Sequence, residues 1–290
     1  MALVKHSSGE KHSIMQEMTE HEILASIESG EPFAARLEDG ALELKVDHYC
    51  PYVGTAVHAG HRLRPELQKN CLLDDDARLL EEDPFTDQFI ASLPITLVGW
   101  DSRYEYDLNR GPDNAVYDTA WGVEVWREPL TDAQRAESLE KHARFYRVMR
   151  ALAEQVEQRC GGCMIIDTHS YNYRIRDYEA PPVFNIGTEQ VDEVRWRSVL
   201  DVFDSALRSM PLPGLDASLG WNAVFYGRGY QATVAREHLS RTLVVPLEVK
   251  KVFMDETSGV PAPAVIDALR EGFDKLAQEA GAVFQRDHCS

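Results

Sequence analysis

At 290 residues the chain is long enough to bury a core without disulfide staples, since a fold of this size removes roughly 75% of its unfolded surface from water. A net charge of −18, from 30 Lys and Arg against 48 Asp and Glu, argues against general nucleic-acid binding, which needs basic surface to release counterions, and against anionic membrane surfaces. With 44% hydrophobic residues the chain is too apolar for a disordered one.

Residues 1–31 are polar and lack the apolar stretch of a signal peptide, so they are expected to form a frayed segment with a short helix over 20–27. No run of residues approaches the length of an apolar membrane span, and a cytoplasmic location is expected. From residue 32 to 290 a single domain is expected. The run PFAARLEDGALELKV reads as a hairpin around Asp39 and Gly40. Apolar runs at 52–57, 95–98, 164–166, 183–186 and 243–249 read as strands buried on both faces. Between them lie amphipathic helices. Thr131 and Gln134 form a capping box for a helix ending at Gly161 and Gly162; a second covers 189–208; a third starts after Pro263 and ends near Gly281. Strand and helix alternate, which predicts a three-layer α/β sandwich with a mixed, mostly parallel central sheet flanked by helices. Cys160 and Cys163 close the first helix rather than open one, so this CxxC reads as a helix-to-strand turn and not a redox pair.

In open α/β sheets ligands sit outside the carboxyl ends of the strands. His58 and His61 follow the 52–57 run. Arg103, Asp107, Asn109 and Arg110 follow 95–98, Asp167 and His169 follow 164–166, and Glu248 lies within the last strand. Each piece alone has a plain structural reading. A histidine after a strand is commonly a satisfied core residue, the acidic stretch 73–87 reads as a solvated helix and loop, and Glu248 could pair with Lys250 on the same face. Arg174 and Arg176 could likewise pair with Asp177 and Glu179. The convergence of imidazoles, carboxylates and arginines on one rim is the informative feature. Neutral imidazole is the commonest metal ligand, and an unpaired buried carboxylate is costly.

The order His58-Ala-Gly, Thr86-Asp87, Ser102-Arg103, Asp107-Leu-Asn109-Arg110 and Asp167-Thr-His169-Ser170 resembles the N-formylglutamate amidohydrolase family. So does the later Asn222-x-x-Phe225-x-Gly227-x-Gly229-Tyr230, followed by the strand bearing Glu248. The resemblance covers residues 50–280 and implies a zinc carboxypeptidase-like fold with one zinc per chain. It implies His58 and His169 as metal ligands, with Asp87 as the third ahead of His61 or Glu82. It implies Glu248 as general base, Arg103 beside the polarised carbonyl, and Asn109 with Arg110 as the clamp on a substrate carboxylate. Val57 stands where the family has proline, and Arg228 interrupts the glycine-rich loop at the expected pocket mouth.

The activity so implied is zinc-dependent hydrolysis of the amide of an N-acyl acidic amino acid such as N-formylglutamate. Two imidazoles, a carboxylate and an open position make a hydrolytic zinc site, and a planar guanidinium matches a carboxylate bidentately. An acidic small molecule would have to be drawn in by local arginines (Arg103, Arg110, Arg174, Arg176, Arg228), because charges beyond about 8 Å are screened at physiological salt. A deacylase acting on another carboxylate-bearing amide, and a non-catalytic metal-binding member of the fold, are the alternatives.

Overall fold

A computed structural model describes residues 14–174 and 179–289. In chain order the elements are β1 (Gln16–Met18), α1 (Glu20–Ser29), β2 (Phe33–Leu37), β3 (Leu42–Val46), β4 (Tyr52–Ala56), α2 (Pro65–Asn70), α3 (Asp75–Glu81), α4 (Thr86–Ile90), β5 (Ile95–Gly99), β6 (Thr119–Ala120), β7 (Val123–Glu124), α5 (Asp132–Cys160), β8 (Cys163–Tyr171), β9 (Phe184–Ile186), α6 (Arg197–Arg208), β10 (Leu219–Trp221), α7 (Tyr230–His238), β11 (Thr242–Lys250) and α8 (Pro263–His288). Among the described residues nine strands form one sheet in the order β1-β2-β3-β5-β4-β8-β11-β9-β10, and β6 pairs with β7 in a separate ribbon. Contacts β4 to β5, β4 to β8 and β8 to β11 are parallel, while β2 to β3, β3 to β5 and β9 to β11 are antiparallel.

Both faces of the sheet are covered, because successive side chains of a strand point to opposite sides. From β8, Met164 and Ile166 pack with Phe89, Phe203 and Phe273 of α4, α6 and α8. Cys163 and Ile165 point the other way, into Ile27, Phe145, Met149 and Val234 of α1, α5 and α7. This is the three-layer α/β sandwich that the alternation predicts, with a sheet that is mixed and mostly parallel. No described helix is long and apolar enough to cross a membrane.

Local chemistry explains most boundaries. The hairpin of β2 and β3 turns at Gly40, whose φ of 71° suits glycine. Thr131 caps α5 through a reciprocal box with Gln134, and Gly161 ends it in the left-handed conformation. Three expectations are corrected. Residues 16–29 are not frayed: β1 pairs with β2, and Ile23 and Ile27 are fully buried under α5. The second helix begins at Arg197 rather than 189, because the Asp192 carboxylate accepts the amides of Val194 and Arg195 and offers the backbone a competing turn. The last helix runs past Gly281 to His288: a Cβ there would stand 2.4 Å from Cδ1 of Tyr52, so this glycine serves close packing and not termination.

Candidate metal centre

Three neighbouring strands of the sheet, β4, β8 and β11, deliver the site. His58 follows β4 by two residues, His169 lies near the end of β8, and Glu248 is its register partner on β11. The Asp-Thr-His-Ser motif was expected just after its strand; β8 instead extends through Tyr171 and carries it. The rings of His58 and His169 are 5.2 Å apart, and both are buried.

Asp83 completes the group. It sits between α3 and α4, its amide donates to the His58 carbonyl at 2.9 Å, and its own carbonyl accepts the amide and hydroxyl of Thr86. Pro84 and Phe85 occupy the centre of that turn, with Phe85 at φ 69° and ψ −3°, the geometry of a type II turn whose third position ordinarily requires glycine. The Phe85 ring packs edge-on against Phe253. From this turn the Asp83 carboxylate places Oδ2 3.4 Å from His58 Nδ1 and 3.2 Å from His169 Nδ1, while Oδ1 accepts from Ser170 Oγ at 3.0 Å.

Each imidazole turns its other nitrogen to a further carboxylate. His58 Nε2 lies 2.8 Å from Asp107 Oδ1, and His169 Nε2 lies 3.1 Å from Asp167 Oδ1. Such carboxylate partners fix ring orientation and raise ligand basicity at metal sites. Asp107 is itself held by the Asn109 amide at 2.7 Å, Arg103 Nη2 at 2.8 Å and the Tyr117 hydroxyl. Asp167 accepts from Thr55 Oγ1 and Gln231 Nε2.

The electrostatics follow from burial and these contacts. Burial opposes charge on Asp83, but the His169 and His58 imidazoles beside it hold its carboxyl well below the usual range. Asp107 is likewise depressed against its burial by Arg103 and His58. Burial also opposes a proton on His169, yet Asp167 and Asp83 raise it well above the ordinary histidine range. Glu248 is pushed up to about 8, chiefly by burial, with His169 acting the other way. Among the described residues no side chain hydrogen-bonds or ion-pairs with it; Lys250 turns instead to the Pro181 carbonyl.

This donor set fits a divalent cation. His58, Asp83 and His169 each offer one ligand atom, and these atoms lie within 4.8 Å of one another. The buried His58 Nδ1, which faces the trio, has no hydrogen-bond partner among the described residues. Four carboxyl groups (Asp83, Asp107, Asp167 and Glu248) surround the two imidazoles with Arg103 as the nearby guanidinium, an excess of acid that a cation balances. A mixed nitrogen and oxygen set with one carboxylate suits zinc.

Of the residues marked out in sequence, the structure brings together His58, His169, Glu248 and Arg103, with Asn109 on the loop next to Asp107. Asp87 is not among them. It lies in the first turn of α4, beyond the Phe85 turn, where burial and Glu43 raise its pKa. His61 and Glu82 bond to each other, and Arg78 and Ser102 occupy their remaining atoms. The Arg110 side chain is exposed and reaches Tyr117. Arg228 is exposed, with its charge answered by Glu189 at 2.6 Å. Arg174 is exposed as well, and Arg176 and Asp177 lie outside the described residues. Sequence reasoning missed Asp83, Tyr117 and Gln231. The proline after Asp83 was the available signal, since Asp-Pro favours a turn that aims the carboxylate.

A family model for N-formylglutamate amidohydrolase matches residues 50–254, well over half of the chain. An N-formylglutamate amidohydrolase from Ralstonia eutropha JMP134 superposes with a TM-score of 0.59 at 18% identity, over 85% of this chain and 96% of that one. A gene product of Agrobacterium tumefaciens does so with a TM-score of 0.63 at 17% identity, over 82% and 95% of the two chains. A metallo-carboxypeptidase from Burkholderia cenocepacia aligns at a TM-score of 0.40 and 13% identity, over 92% and 68%. No curated protein sequence matches. The chain belongs to the N-formylglutamate amidohydrolase family.

Proposed function

We propose that this family member is a zinc-dependent hydrolase that cleaves the amide of an N-acyl amino acid, with N-formylglutamate as its reference substrate. The observation that carries the reading is the buried trio of His58, Asp83 and His169 beside a Glu248 that has no side-chain partner among the described residues. His58, Asp83 and His169 would hold one zinc per chain. When bound, zinc supplies Lewis acidity and makes water acidic enough to deprotonate near neutral pH.

The remaining chemistry belongs to the chain. Glu248, in register beside His169, would take a proton from water and return it to the leaving amine, and its burial, which raises its carboxyl, favours the return. Arg103 is fixed through Asp107 and the Glu81 carbonyl, a rigid donor for charge developing on the amide oxygen. Asp107 orients His58, and Asp167 orients His169. Arg110 and Asn109 would grip the substrate carboxylate, the fork of Arg110 giving two parallel bonds.

Release of formate from N-formylglutamate by purified protein, lost on chelation and restored by zinc, tests the proposal. Metal-free protein that neither binds zinc nor turns over would refute it. The pairing of Arg228 with Glu189 favours one wider reading: with that arginine engaged, the side chain accepted can extend to other carboxylate-bearing amides.

A further inference from the structure

The ribbon of β6 and β7 pairs Ala120 with Val123 and leaves Trp121 and Gly122 as a two-residue turn. Both turn residues have positive φ, 49° and 83°, the sign pattern of a type I′ hairpin. Glycine adopts it freely, but a tryptophan there is an outlier, and strained backbone persists where the surroundings impose it, chiefly at ligand clamps and active sites. Burial does not account for this one, because Trp121 is 50% exposed.

The covered side of the indole meets the site directly. The Arg103 guanidinium lies 4.7 Å from its ring centroid, and Tyr104 and Tyr117 contact it edge-on at 5.8 and 5.6 Å. Arg103 and Tyr117 both reach Asp107, which holds His58. One carboxylate therefore separates the groups under the indole from the proposed metal ligands.

We propose that Trp121 is a specificity-determining residue: its indole walls the mouth of the substrate pocket, pressing on Arg103 with one part and offering the rest to the substrate's amino-acid side chain. This rests on the amidohydrolase reading of the site. The aromatic wall is sequence-tolerant towards methylenes and rings, and it complements the carboxylate grip of Arg110 on the neighbouring loop.

Kinetics of zinc-loaded wild type, Trp121→Gly and Trp121→Phe on N-formylglutamate, N-formylphenylalanine and N-formylglycine decide the matter, with a thermal melt of each protein. Trp121→Gly should raise KM for the two substrates with long side chains by about 10-fold, an effect that shrinks towards none for N-formylglycine. It should melt no lower than wild type, because glycine relieves the positive φ. Trp121→Phe should keep most of the discrimination. An equal loss on all three substrates would make Trp121 a support for Arg103 alone, and unchanged kinetics would place it outside the pocket; either overturns the proposal. Absence of wild-type turnover on all three would instead sink the amidohydrolase reading and this inference with it.

Discussion

Glu248 and His169 stand side by side on adjacent parallel strands, in register, with Asn185 paired to Glu248 on its other edge. Register partners on neighbouring strands project to the same face, so β8 and β11 set Glu248 next to the imidazole without any hydrogen bond between them. Glu248→Gln keeps the shape and removes the proton acceptor. It should lower kcat by about 10²–10⁴-fold while zinc content stays at the wild-type value. A variant that lost its metal would identify Glu248 as a ligand instead.

Asp83 and Asp87 are four residues apart, on either side of the Phe85 turn, yet only Asp83 of the two meets the imidazoles. Zinc titration against a fluorescent chelator should show Asp83→Asn as the weakest binder. Asp107→Asn should lose about 10–100-fold, the usual cost of a supporting carboxylate. Asp87→Asn should match wild type. The reverse ranking of the Asp83 and Asp87 variants would reassign the third ligand.

Arg110 lies on the loop that Asp107 organises through the Asn109 amide. A hydrogen bond to a charged group is worth about 1.5–3 kcal/mol, so Arg110→Met should raise KM for N-formyl amino acids roughly 10- to 100-fold with a smaller effect on kcat. An unchanged KM would remove Arg110 from substrate binding.

His142 on α5 reaches the Arg110 carbonyl at 2.8 Å and lies against Tyr146 and Tyr230. Burial pushes its imidazole below the usual histidine range, against smaller raising effects of that carbonyl and Asp107. A depressed histidine is neutral in the folded state and protonates more readily when unfolded. Its contribution is therefore complete above the unfolded value of about 6.5 and is lost as pH falls below it. Melting temperature should drop as pH falls below about 6.5, and His142→Gln should flatten that part of the profile. Parallel curves for the two proteins would show that His142 is not the acid-sensitive group.

The fold was legible because its strands are apolar on both faces and its longest helix carries explicit end signals, Thr131 with Gln134 and then Gly161. His58, His169 and Glu248 were legible because each sits at or near the end of such a strand. The carboxylate that joins the two imidazoles was not. Asp83 and Asp87 share an acid-rich stretch, and what separates them is the left-handed Phe85 turn, a conformation that nothing in the residue type announces. Gly281 misled for the opposite reason: glycine after an apolar stripe reads as a stop, whereas here the Tyr52 ring requires the missing side chain. Edge strands as short as β1 and β10 are set by their neighbours' register rather than by local pattern.

Because β4, β8 and β11 are adjacent in the sheet but divided in the chain by long helical crossovers, the trio exists only after non-local strand pairing is complete. Closing such crossovers is the slow, entropically costly part of acquiring a parallel sheet. A cation that needs the finished sheet cannot act as a nucleus for it. Zinc should therefore leave the refolding rate of this chain nearly unchanged and retard its unfolding, making the ion a source of kinetic persistence rather than a guide to assembly.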